Sequence, residues 1–184
     1  MALTLPLDGL AAPAGDARQQ RADFVTAMAN AATGVTVVAT DGAAGRVAQT
    51  VSAMCSVTAD PPTVLVAVNR RSPLTGAVAT NGVFSVSLLS ERQAHVSETF
   101  AGRPAGGGQP YDFGCASWTR GHSGAPVLDG AAATFDCSVV QTMPVGTHIV
   151  FAGRVLASRA GGQVPLTYHD RRYRRLAPLA GSDC

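Results

Sequence analysis

RVAQTVSAMCSVTADPPTVLVAVNRRSP, residues 46–73, is the stretch whose reading decides the fold. It runs from small and hydroxyl side chains (Gln49, Thr50, Ser52, Ser56) through the double proline Pro61-Pro62 into an apolar run over residues 63–68. It ends in Asn69-Arg70-Arg71-Ser72-Pro73. Small residues let a backbone approach a flat ring, and Asn, Arg and Ser ahead of a proline can meet an anion, so each part suits a ring ligand that carries a phosphate. Ser72 is placed to cap a helix with Pro73 as its first residue, which would turn the free N–H groups of that helix toward whatever lies beside Arg70. The same residues also read as a strand, a turn and a helix cap with arginines on a solvated rim, and by local pattern alone that plainer reading has the stronger claim.

Upstream, Asp16 with Gln19 three residues on is a capping-box pattern. Phe24, Val25, Met28, Ala31 and Ala32 recur at helical spacing up to Gly34, which predicts a helix with one apolar face to bury. Residues 35–40 (VTVVAT) are β-branched, and Asp41-Gly42 with Gly45 turns them into the next strand as a hairpin. Residues 1–15, rich in Ala, Pro, Leu and Gly without a period, read as a flexible arm.

Downstream of Pro73, a short helix closes at Asn81-Gly82 and residues 83–89 (VFSVSLL) alternate as a strand. Ser90 with Gln93 opens another helix that ends near Phe100-Ala101-Gly102. Five glycines between residues 102 and 116 predict a mobile loop. Residues 131–143 put Phe135, Cys137 and Val139 on one face and Thr134, Asp136 and Ser138 on the other. A second long strand over residues 148–158 follows a short Gly-containing loop, giving an antiparallel pair with Thr147 and His148 at its mouth. Tyr168, His169, Asp170, Arg171, Arg172 and Tyr173 fall on a final short strand and turn.

Six or more strands with about three short helices, in no regular strand-helix-strand order, fit a mostly antiparallel closed barrel with helices at its ends. No GxGxxG follows a strand, so a nucleotide here is not held by a Rossmann turn. The 184 residues make one domain over residues 16–178 with a tail at 179–184. Charged residues are only 14% of the chain, which leaves room for a subunit interface. A formal charge of +2 is too small for a nucleic-acid footprint, and no stacking platform accompanies the arginines near residue 172. No run approaches membrane-spanning length and no signal peptide is visible, so a cytoplasmic location is expected. Cys55, Cys115, Cys137 and Cys184 show no zinc or redox spacing; no metal is expected, and Cys55 and Cys137 read as small core residues. Ser123 in GHSGAP lacks the last glycine of a nucleophile elbow, which argues against hydrolase chemistry.

The order of an amphipathic helix into GVTVVAT, QTVSAMCSVTADPPTVLVAVNRRSP, VFSVSLLSERQ, SETFAG, Trp118 with GAPVLDG, FDC, VGTHIVFAGRV and YHDRRYRRL resembles the flavin reductase-like domain of short-chain NAD(P)H:flavin oxidoreductases, the reductase components of two-component flavin-dependent monooxygenases. The resemblance spans residues 20–178 and rests on the series, not on one motif. It implies a mainly β fold, the FMN-binding split barrel, a six-stranded antiparallel Greek-key barrel with a few flanking helices, and a homodimer. The implied activity is reduction of FMN or FAD by NADH or NADPH, with release of reduced flavin to a partner monooxygenase.

Residue by residue, the resemblance implies that Arg46, Val47, Ala48, Gln49, Thr50, Ser52 and Ala53 lie along the isoalloxazine, and that Asn69, Arg70, Ser72 and Pro73 meet the phosphate and ribityl chain. Phe100 corresponds to an aromatic beside the flavin. His148 matches the histidine near the nicotinamide, here in Gly146-Thr147-His148 where the family commonly has Gly-Asp-His. His169, Asp170, Arg171 and Arg172 match the terminal segment that helps hold NAD(P)H, although YHDRRY departs from the usual pattern. A non-catalytic flavin carrier on the same barrel, or a haem- or F420-binding relative, are the alternative readings.

Overall fold

The structure, a computed structural model, describes residues 16–179. The expected arm at 1–15 and residues 180–184 of the tail, with Cys184, lie outside the described residues.

Seven strands form one antiparallel sheet, and the hairpin expected on either side of Gly45 is its starting point. β2 (Thr36–Thr40) pairs with β3 (Val47–Val51), with Val38 opposite Gln49. The other edge is the pair β4 (Met54–Ala59) and β5 (Pro62–Asn69), turned at Asp60-Pro61. Between them lie β6 (Val83–Leu88) and the long strands β9 (Ala133–Val145) and β10 (His148–Ala160), in the order β3-β2-β6-β9-β10-β5-β4. Two smaller units stand against this sheet. One is the hairpin β7 (Trp118–Arg120) and β8 (Pro126–Leu128); the other joins β1 (Thr33–Gly34), β11 (Leu166–His169) and β12 (Arg172–Arg175).

The β2–β6 part of the sheet is buried on both faces, which the alternation in residues 83–89 does not anticipate. Every residue of β2 is buried. Val38 packs with Val66, Leu74, Val78, Phe84 and Phe151 on one side, while Val37 and Ala39 pack with Leu89, Val96, Phe100 and Leu128 on the other. The polar face expected for β9 is likewise covered. Thr134 and Asp136 are buried, and the Asp136 carboxylate accepts from the backbone N–H of Ser123 at 2.8 Å and from the Ser123 hydroxyl. Ser123 is thereby committed to closing the 121–125 turn, in line with the absence of an elbow.

The caps follow the sequence closely. α2 (Pro73–Asn81) begins with Ser72 accepting from Leu74 N at 3.1 Å and ends at Gly82, whose φ of 69° is the left-handed conformation glycine tolerates. α3 (Ala94–Phe100) follows a 3-10 turn in which Ser90 N donates to Gln93 Oε1 at 3.0 Å. Two expectations fail. α1 (Ala17–Ala29) is capped by Asp16 but stops at Asn30, before Gly34, and buries no residue within the chain: Phe24 is 64% and Met28 49% exposed. Cys55 is exposed because β4 is an edge strand; Cys137, in the central β9, is fully buried as expected. No described helix is long and apolar enough to cross a membrane.

Candidate functional site

The residues singled out in the opening stretch come together because β3, β5 and β10 bring their ends to one place. The β10–β5 register sets His148 opposite Asn69, and Arg70 N donates to Thr147 O at 3.0 Å, locking the turn before β10 to the end of β5. The Asn69 side chain accepts from Arg71 N at 2.9 Å, and its carbonyl accepts from Ser72 N at 2.9 Å, so the turn into α2 is fixed from within. The Ser72 hydroxyl donates to Gln49 Oε1 while accepting from Leu74 N, tying the cap of α2 to β3.

Two adjoining cavities follow from this arrangement. The larger, about 630 Å³, runs along Arg46, Val47, Ala48 and Gln49 of one wall and Asn69, Arg71, Ser72, Pro73 and Leu74 of the other, with Tyr111 and Phe113 closing it. The smaller, about 180 Å³, is lined by Gln49, Thr50, Ser52, Ala53, Asn69 and His148 among others; Gln49 and Asn69 belong to both. Most of the expected ring and phosphate residues therefore line two cavities that share Gln49 and Asn69 as walls. Thr147 Oγ1 lies 3.0 Å from His148 Nδ1, so the threonine that departs from the family pattern engages the histidine ring.

Three placements differ from the expectation. Arg71, not Arg70, lines the larger cavity. Phe100 is fully buried in the second core, edge-on to Phe113 at 5.1 Å and Trp118 at 5.5 Å, and Phe113 is the ring that reaches the cavity. The amphipathic spacing of α3 turns Phe100 inward. Tyr111 and Phe113 had one visible signal, two aromatic residues in a glycine-rich loop that offered them no strand or helix to pack on. The α2 N-terminus also offers fewer open donors than a helix start suggests. Pro73 has no N–H, Leu74 N is taken by the Ser72 hydroxyl and Thr75 N by Ser72 O. Attraction for an anion here comes from the guanidinium groups and the helix dipole. Arg46 is held with its guanidinium carbon 4.0 Å above the Phe113 ring.

His169, Asp170, Arg171 and Arg172 stand apart, at the β11–β12 turn, where Asp170 and Arg171 adopt positive φ values of 48° and 58°. Arg171 and Arg172 line a separate cavity of about 310 Å³ with Tyr168, Tyr173 and Arg103. The link to the groove is indirect: Tyr173 Oη donates to Ser97 Oγ at 3.0 Å, and Thr50 Oγ1 donates to Ser97 O at 2.7 Å. Among the described residues, no group of three or more His, Cys, Asp and Glu side chains is placed to hold a metal ion.

Known proteins resemble this chain in both sequence and fold. The chain is 42% identical over 160 residues to an FMN reductase (NADH) RutF of Variovorax paradoxus, covering 85% of this chain and 86% of that protein. Its fold is similar to the NADH:FAD oxidoreductase SgcE6 of Streptomyces globisporus, solved with NAD and FAD fragments (TM-score 0.79, 27% identity, 88% and 96% of the two chains). It is also similar to the styrene monooxygenase flavin reductase of Pseudomonas putida (TM-score 0.74, 32% identity, 85% and 99%). The family described as the flavin reductase like domain matches residues 28–177. With nearly the whole described chain inside that match, this protein is a member of the flavin reductase-like domain family.

Proposed function

We propose that the chain is an NADH-dependent flavin reductase that releases reduced flavin to a partner monooxygenase. The observation that carries this reading is the pair of adjoining cavities: small side chains and strand backbone from Gln49 to Ala53 at the His148 end, and Arg46 and Arg71 beside the α2 N-terminus at the other. That donor set fits a flat ring joined to a phosphate. When bound, flavin supplies a hydride acceptor at N5 for the nicotinamide, and the protein contributes position and electrostatics. Gln49, Thr50, Ser52 and Ala53 present the main chain to the ring. Arg46 and Arg71 neutralise the phosphate. The Thr147 hydroxyl holds His148 through Nδ1, which leaves Nε2 to orient the nicotinamide. Arg171 and Arg172 reach the distal part of the dinucleotide.

The relatives named FMN reductase (NADH) and the styrene monooxygenase reductase support the donor and the kind of partner. We read the curled sheet, in which β3 approaches β5 although the two are not paired, as the family's split barrel. A homodimer is supported by α1, whose apolar residues find no cover within the chain, and by Val140, Met143 and Val145 exposed on β9. The test is NADH and NADPH oxidation by purified protein with no flavin, FMN or FAD added. Oxidation that saturates in added flavin is expected; background rates with every pair refute the reading. Full hydride transfer by His148→Ala would remove that residue's role.

A further inference from the structure

The groove does not end at its phosphate end. Arg46 is the common wall between it and another cavity, of about 510 Å³, formed by the loop after β2, the start of β6 and the β7–β8 hairpin. The two differ in chemistry. The groove is mostly apolar, whereas this cavity brings together Asp41, Arg46 and Arg120 beside the indole of Trp118. None of these three charged groups takes part in an ion pair among the described residues.

Both loops around it are fixed by side chains other than these three, and Arg46 is steadied by the Phe113 ring beneath it. The Asn81 carboxamide accepts from Ala44 N at 2.8 Å and donates to Gly45 O and Thr40 Oγ1, pinning the 41–45 turn. Asp136 pins the 121–125 turn through Ser123. Gly124, at φ 94°, leaves room for the arginine: a Cβ there would stand 3.4 Å from Arg120 Nη2. The cavity is thus preformed. It also adjoins the larger cavity along one stretch of chain: residues 53 and 52 beside His148, β3 from Gln49 to Val47 along the groove, and Arg46 at the boundary.

A mononucleotide flavin would finish at Arg46 and Arg71. The space past Arg46 holds a second guanidinium for a second phosphate, a carboxylate able to accept from a ribose diol, and an aromatic wall for a purine. We propose that this cavity receives the adenylate half of a dinucleotide flavin, so that the chain holds FAD more tightly than FMN. The proposal rests on the flavin-reductase reading and names its substrate.

The experiment is binding of FMN and of FAD, measured by flavin fluorescence without nicotinamide, to the wild-type protein and to Arg120→Ala and Arg120→Lys. Arg120→Ala is expected to weaken FAD about tenfold, the loss of one charge-assisted contact, and to leave FMN unchanged. Arg120→Lys is expected to keep most of the FAD affinity, and AMP to compete with FAD but not with FMN. Equal affinity of the wild type for both flavins, or an equal effect of Arg120→Ala on both, overturns the proposal while leaving the reductase reading intact. An unchanged FAD affinity with a raised KM for NADH overturns it too, giving the cavity to the nicotinamide's adenylate. Binding of neither flavin refutes the reading it rests on, and the proposal with it.

Discussion

Ser72 joins stability and binding in one hydroxyl, and its removal can be worked through. Ser72→Ala deletes the cap on Leu74 N, which costs about 1 kcal/mol at a helix start. It also deletes the bond to Gln49 Oε1; because Ser72 is half-buried and water can reach the freed amide, that loss is about 0.5 kcal/mol. The sum of about 1.5 kcal/mol corresponds to a Tm lower by about 3–6 °C for a chain of this size. Urea unfolding of Ser72→Ala, Gln49→Ala and the double variant measures the coupling, expected at about 0.5 kcal/mol or more since the two side chains touch. Ser72→Asp separates the two roles. Its carboxylate caps α2 and recovers about 1 kcal/mol, but it faces the Gln49 carbonyl oxygen and brings a negative charge to the phosphate end of the groove, so the KM for flavin is expected to rise about tenfold. An unmoved urea midpoint in Ser72→Ala, strict additivity with Gln49→Ala, or wild-type flavin KM in Ser72→Asp would each show the reasoning to be wrong.

Gly153→Ala should destabilise through crowding: the added Cβ would lie 2.3 Å from Phe84 Cζ and 2.9 Å from Cys137 Cβ, both buried, so about 1–3 kcal/mol is expected. Calorimetry giving an unchanged Tm would refute it. Burial, with the Asp136 charge adding to it, pushes the Cys137 thiol up to about 12 from an ordinary 9.0. The unfolded chain gives up this proton first, so the native state is favoured fully below pH 9 and loses stability as pH rises toward 12, by up to ~1.4 kcal/mol per pH unit. All 14 basic residues outside histidine are arginines, so no lysine titrates in that window. Cys137→Ser should flatten the alkaline fall in urea unfolding; an equally steep fall would place its cause elsewhere.

The parts of this molecule legible in its sequence are those set by local chemistry. Ser72-Pro73 and Asn81-Gly82 bound α2 where capping rules put them, and Asp41-Gly42 with Gly45 turns β2 into β3. Strand pairing between distant residues was less legible. Nothing near Cys55 in the chain says that β4 lies at an edge, and nothing near Asp136 says that a carboxylate on the polar face of β9 meets Ser123 from another hairpin. The groove shows the same division. Gln49 and Ser72 stood out by type and His148 through the resemblance, whereas whether Phe100 or Phe113, and Arg70 or Arg71, lines the larger cavity depends on which way a loop or a turn directs each side chain.

The pairing of His148 with Asn69 ties the protein's evolution to its folding. A one-residue slip between β10 and β5 would send Val66, Val68 and Phe151 to the wrong face and part the histidine from the groove in the same stroke. Keeping the core therefore also keeps His148 beside Asn69. The 41–46 and 120–126 loops lie outside that register, and they can lengthen, shorten or change charge without asking the sheet's permission. The cavity beyond Arg46 can therefore change in shape and charge without disturbing the core.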